Sequence, residues 1–278
     1  MDLPVPNLLD LLELSDADAT SGLRGRWRTV RRYIKRSVLE KTHFQQPRFF
    51  CQNSGGCGST YIVELLADNG VARVFHEKAP DLNEVGVRHH DRRYALKSLV
   101  RLLRYTRHNV FFEANNRLFS LSPELAAAFP GAGFIHLFRH PAAAIRSAMS
   151  KPDVEEYLRT NVRFSGSLAG DRGLQPFERF CHYWTNMNSR IHSDLCQIHQ
   201  TQTHPVMWLE FDDLVAGNVG TLAEFMGVEL QQTSRPPANV GRVRSAGKYP
   251  VAEHWTEAQI AMVEDVCGGL YRELVGLK

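Results

Sequence analysis

The stretch from Arg48 to Leu66, RFFCQNSGGCGSTYIVELL, leaves a chain few ways to fold. Phe49, Phe50 and Cys51 form a short apolar run, and Ser54-Gly55-Gly56-Cys57-Gly58 breaks it. Tyr61, Ile62, Leu65 and Leu66 then recur at helical spacing, so the segment reads as strand, glycine turn, helix. Glycine tolerates the positive φ of a tight bend, which brings several backbone N–H groups together at the start of a helix whose dipole adds partial positive charge. The hydroxyls of Ser54, Ser59 and Thr60 add further donors, and phosphate is the expected guest. Glycines between a strand and a helix also serve packing alone. A Walker loop would end in Gly-Lys-Ser/Thr. Gly58 stands directly before Ser59, so the lysine that reaches the outer phosphates is absent and a nucleotide kinase fits less well.

The alternation continues down the chain. Short apolar runs at 71–75, 109–112, 134–138 and 206–211 are separated by segments of helical period, among them 122–128, 141–150, 176–200 and 257–274. Strand and helix in turn, with a glycine bend after the first strand, predict an α/β fold: three α/β/α layers around a central parallel sheet of about five strands. Ligands of such sheets sit outside the carboxyl ends of the strands. Polar groups gather there: His76, Glu77 and Lys78 after the second strand, Glu113 after the third, and Arg139 after the fourth, with Ser147 two helical turns further on. Arg139 with Ser147 can clamp a second phosphate.

Residues 1–45 read as a helical appendage and 46–278 as the α/β domain. The appendage holds a leucine-rich start and a basic amphipathic helix, which packs on its own domain or lies on a membrane surface or an acidic partner. Residues 91–107 form a second basic helical segment, and 151–176 an irregular loop over the site. A net charge of +3 does not argue for nucleic acid. Five cysteines without metal-ligand spacing suit a reducing compartment, and no apolar run approaches the roughly 18 residues of a membrane span, so a cytoplasmic protein is expected. Cys57, at a helix start, is either an acidified nucleophile or a small residue required by the bend.

Four segments resemble the sulfotransferases that use 3′-phosphoadenosine 5′-phosphosulfate (PAPS). Cys57-Gly58-Ser59-Thr60 is similar to the Ser-Gly-Thr-Thr core of that family's 5′-phosphosulfate loop. Phe138-Arg139-His140-Pro141 through Ser147 is similar to its Arg-Asp-Pro pattern ending in serine. Glu210 to Leu214, followed by Phe225-Met226-Gly227, resembles its later Tyr-Glu-Asp-Leu and Phe-Leu-Gly landmarks. Arg244 to Lys248 resembles the late loop that closes over the 3′-phosphate.

The resemblance implies sulfuryl transfer from PAPS to a hydroxyl or amine, without a metal. The backbone of Ser54 to Thr60 then holds the phosphosulfate, and Arg139, Ser147, Arg244, Gly247 and Lys248 hold the adenosine end. A base must take the acceptor's proton. Glu77 and His76 are the first candidates, and Glu113 the next. Gly56 occupies the position where most members carry lysine or arginine, so either Lys78 stands in or the protein binds the nucleotide with weak catalysis. The acceptor is expected to be a small molecule, glycan or lipid-like compound, without nucleic acid and with peripheral membrane contact open. Neither its identity nor the oligomeric state follows from the sequence.

Overall fold

A computed structural model describes residues 47–71, 73–77, 110–150, 173–201, 204–232 and 255–278. The expected appendage at 1–45, the basic segment at 91–107, Lys78, Arg244, Gly247, Lys248 and nearly all of the 151–176 loop lie outside the described residues.

Five strands form one parallel sheet in the order β2-β3-β1-β4-β5. They are β1 (Arg48–Gln52), β2 (Arg73–His76), β3 (Phe111–Ala114), β4 (Gly133–Phe138) and β5 (Val206–Glu210). Between and after them run α1 (Ser59–Asp68), α2 (Ser122–Ala128), α3 (Pro141–Met149), α4 (Pro176–Thr201), α5 (Phe211–Val215), α6 (Gly220–Met226), α7 (Glu257–Val263) and α8 (Gly269–Val275). β1, β3 and β4 are buried along their whole length, which is why they read as continuous apolar runs rather than alternations.

From β1 the chain moves to one side of the sheet, and from β4 to the other. Right-handed crossovers then put the connecting helices on opposite faces. The bend after β1 and the Arg139 turn after β4 therefore flank the crevice where the strand order reverses, the usual ligand position in such sheets. One face carries Phe50, which packs within 5.6 to 6.1 Å of the rings of Phe111, Phe129 and Phe134. The large, rigid rings bury apolar area at small entropic cost, about 2–3 kcal/mol each.

Helix ends mostly follow their sequence signals. α1 buries Tyr61, Ile62, Leu65 and Leu66 and stops at Asn69-Gly70, where Gly70 takes φ 69°. Thr256 and Gln259 form a reciprocal capping box at the start of α7. Ser122 lies inside α2, its hydroxyl shared between Gln52 Oε1 and the Phe119 carbonyl. Two expectations are corrected. The final helix is not continuous, because a π-turn at Glu264–Gly268 separates α7 from α8. The third strand runs two residues further than its apolar residues suggest, placing Glu113 inside β3. No helix among the described residues is long and apolar enough to cross a membrane.

Candidate functional site

The bend after β1 has three glycines in the left-handed region, Gly55 at φ 83°, Gly56 at 68° and Gly58 at 86°. Gly58 is obligatory twice over, since a Cβ there would lie 2.0 Å from the Phe211 ring. Gly55 N–H turns back to Asn53 Oδ1 at 2.9 Å and leaves the set of free donors. Among the described residues, the backbone N–H groups of Gly56, Cys57, Gly58, Ser59 and Thr60 meet no protein acceptor. α1 also lacks a side-chain cap. Five N–H groups without an acceptor among the described residues lie in this one bend beside a helix N-terminus, an arrangement that suits an anion.

The hydroxyls divide differently from expectation. Ser54 Oγ is buried and accepts from Asn188, and Ser59 Oγ is 2.9 Å from His76 Nε2. Of the three, Thr60 alone keeps its hydroxyl uncommitted among the described residues. Cys57 is fully buried, and burial pushes its thiol up from the usual range, so it remains an inert thiol of suitable size rather than a nucleophile.

Arg139 leaves β4 with its guanidinium 4.8 Å from the Phe211 ring centroid and its Nε 3.7 Å from Asp212 Oδ1. His140 caps α3 by accepting the Ala142 N–H on Nδ1, with Pro141 in the first turn. Two turns on, Ser147 reaches the glycine bend: a Cβ built on Gly56 would sit 3.5 Å from Ser147 Oγ and 3.3 Å from the Ala144 carbonyl. Phe211 touches both sides, lying under Arg139 and against Gly58. The bend and the Arg139–Ser147 pair are thus neighbours at one end of the sheet. The same contacts, with the positive φ of 68°, disfavour any side chain at Gly56.

The candidate bases separate. Glu77, half-buried at the end of β2, is the one non-glycine residue with positive φ among the described residues, at 52°, and its N–H is held by the Ala114 carbonyl at 3.1 Å. Such backbone strain clusters at functional sites. His76 beside it is engaged with Ser59. Glu113 is fully buried within β3, registered against Phe50 and Phe75, with Asn115 Nδ2 3.5 Å from its Oε1. It is not at a strand end as its position in the sequence suggests.

Sequence reading passed over His136, Asn188 and Gln52, a buried polar row beneath the bend. Its signal was a histidine in the middle of FIHLF, which in a buried strand must find a hydrogen-bond partner. A Cys196–His192–Glu273 cluster resembles a nucleophilic triad but does not work as one. His192 Nδ1 accepts from the Trp208 indole, leaving Nε2 to donate to Glu273, so neither nitrogen is left to serve as base for Cys196.

A profile described as the sulfotransferase family matches residues 14–232, well over half of the chain. The chain belongs to the sulfotransferase family. Among solved structures this sulfotransferase is similar to the sulfotransferase domain of the Synechococcus PCC 7002 olefin synthase, at 16% identity and a TM-score of 0.41 over 80% of this chain and 94% of that one. No curated protein matches it. The family match ends before Arg244, Gly247 and Lys248.

Proposed function

We propose that this sulfotransferase moves a sulfuryl group from PAPS to a hydroxyl or amine of a small-molecule, glycan or lipid-like acceptor. The observation that carries the reading is the adjacency of two anion sites: free N–H groups of Gly56 to Thr60 on one side, Arg139 and Ser147 on the other, with Gly56 against Ser147. A single nucleotide phosphorylated at both ends of its ribose suits that pair. The bend would take the 5′-phosphosulfate and stabilise charge on the departing phosphate, a role that oriented amides perform without reorganising. Arg139 and Ser147 would hold the 3′-phosphate. Glu77, at the end of β2, would accept the acceptor's proton. Arg244, Gly247 and Lys248 are assigned to the same 3′-phosphate by resemblance alone.

Incubation with sulfur-labelled PAPS and a panel of hydroxylated glycans, lipids and amines tests the reading. Transfer to any acceptor supports it, and absence of binding by both PAPS and adenosine 3′,5′-bisphosphate would sink it. A second reading, nucleotide binding with weak catalysis, is favoured by Gly56, where a φ of 68° and a tight 3.3 Å approach to the Ala144 carbonyl disfavour the cation common in the family. Tight nucleotide binding without transfer would select it.

A further inference from the structure

Ser54 opens the bend and is 1% exposed, so its hydroxyl must be satisfied from within. Asn188 of α4 does this, donating from Nδ2 to Ser54 Oγ at 3.1 Å and to the Trp184 carbonyl at 2.8 Å. With both amide hydrogens given away, Asn188 Oδ1 accepts from His136 Nε2 at 2.9 Å, which places the imidazole proton on Nε2. Burial holds that ring neutral, and His136 is its own strand's only polar side chain.

Beyond Ser54 the direction is also fixed. The Cys57 thiol donates its one hydrogen to the Gly55 carbonyl at 3.3 Å, so at the 3.3 Å contact between Ser54 Oγ and Cys57 Sγ the serine is the donor. The hydrogen bonds therefore run one way, from His136 through Asn188, Ser54 and Cys57 to the carbonyl of Gly55. That carbonyl shares a peptide unit with the N–H of Gly56, and in a trans peptide the two point in opposite directions. Gly55 and Gly56 both carry positive φ, a region in which glycine peptides turn over at little steric cost. Holding the carbonyl toward Cys57 keeps the Gly56 N–H turned the other way.

We infer that Asn188, backed by His136, is a positioning residue that locks the Gly55–Gly56 peptide with its N–H presented to the 5′-phosphate side of the donor. The inference rests on the proposed function, because it assigns that group to the bend. The lock lies beneath the bend and touches no ligand; it meets Arg139 only where that residue's backbone N–H reaches the Cys57 sulfur, so its loss falls chiefly on the 5′ group.

Calorimetric binding of adenosine 3′,5′-bisphosphate and of adenosine 3′-monophosphate to the parent and to Asn188→Leu tests it. The expected result is about a tenfold loss for the bisphosphate, with the monophosphate within twofold of the parent. Equal affinities in parent and variant, or equal losses for both ligands, overturn the inference while leaving the proposed function intact. A parent that binds neither ligand sinks the proposed function itself. If Asn188→Leu does not fold, His136→Phe removes only the first donor and is expected to show the same split at two- to fivefold; no split there overturns the lock.

Discussion

Arg139 Nε lies 3.7 Å from Asp212 Oδ1, while the same guanidinium stacks over Phe211, the residue next to that aspartate. The arginine is thus oriented without a ligand, beside a carboxylate that is half exposed and that the proposed 3′-phosphate would displace. Pairs of this exposure contribute little to folding, and a phosphate offers a stronger, bidentate partner. Arg139→Ala is expected to weaken adenosine 3′,5′-bisphosphate about 10- to 100-fold and to leave adenosine 5′-monophosphate nearly unchanged. Asp212→Asn is expected to tighten the bisphosphate a few-fold at low salt. Calorimetry with both nucleotides decides, and equal losses for the two in Arg139→Ala would contradict the assignment.

Glu77 combines a half-buried position after the edge strand β2 with a strained backbone, whereas Glu113 is sealed inside β3. Glu77→Gln is expected to lower turnover by a factor of about 10² or more, with nucleotide affinity retained. Glu77→Gly relaxes the φ of 52° and should keep the melting temperature while losing the same turnover. Steady-state rates with a working acceptor check both. Full turnover in Glu77→Gln would move the base to Glu113.

Gly58 and Phe211 are matched in shape. Gly58→Ala drives a methyl group into the Phe211 ring and strains a φ of 86°, at an expected cost of about 2–4 kcal/mol in denaturant unfolding. In a Phe211→Ala background that cost should shrink toward the φ term alone, a coupling that a double-mutant cycle reads directly. Simple additivity of the two changes would show that the ring is not what excludes the methyl.

His136 makes stability sensitive to acid. Its ring is held down to about 4 from the usual 6.5, chiefly by burial and also by the nearby His192, against the opposing bond to Asn188. The unfolded chain therefore binds the proton more readily. Stability from this group is complete above about pH 6.5 and is lost as pH falls toward 4, by roughly 3 kcal/mol in all. Unfolding free energies at pH 7, 5.5 and 4.5 should fall less steeply in His136→Phe than in the parent, even though the variant starts lower at pH 7 because Asn188 Oδ1 loses its donor. Parallel pH profiles would rule the histidine out as the source.

The fold was legible because its signals are local. A parallel sheet buried on both faces writes itself as short apolar runs, and glycines at 55, 56, 58 and 70 mark bends that other residues resist. The positions of Arg139, Ser147 and the bend were legible for the same reason, since each is tied to the segment after a strand. What the one-dimensional reading could not supply is which polar atoms are already spent. Ser54 and Ser59 looked like ligand donors and are bound to Asn188 and His76, residues 134 and 17 positions away.

By itself, then, the order of residues determined the strands, the helices between them, the glycine bend and the family's landmark spacing, all of which depend on neighbours a few positions apart. Tertiary structure alone decided that Gly56 abuts Ser147, that Glu113 is buried while Glu77 takes a positive φ at the end of the edge strand β2, and that His136 reaches the bend through Asn188. Those outcomes hinge on strand order and helix packing, where the contacts join segments far apart in the chain and carry no local signature.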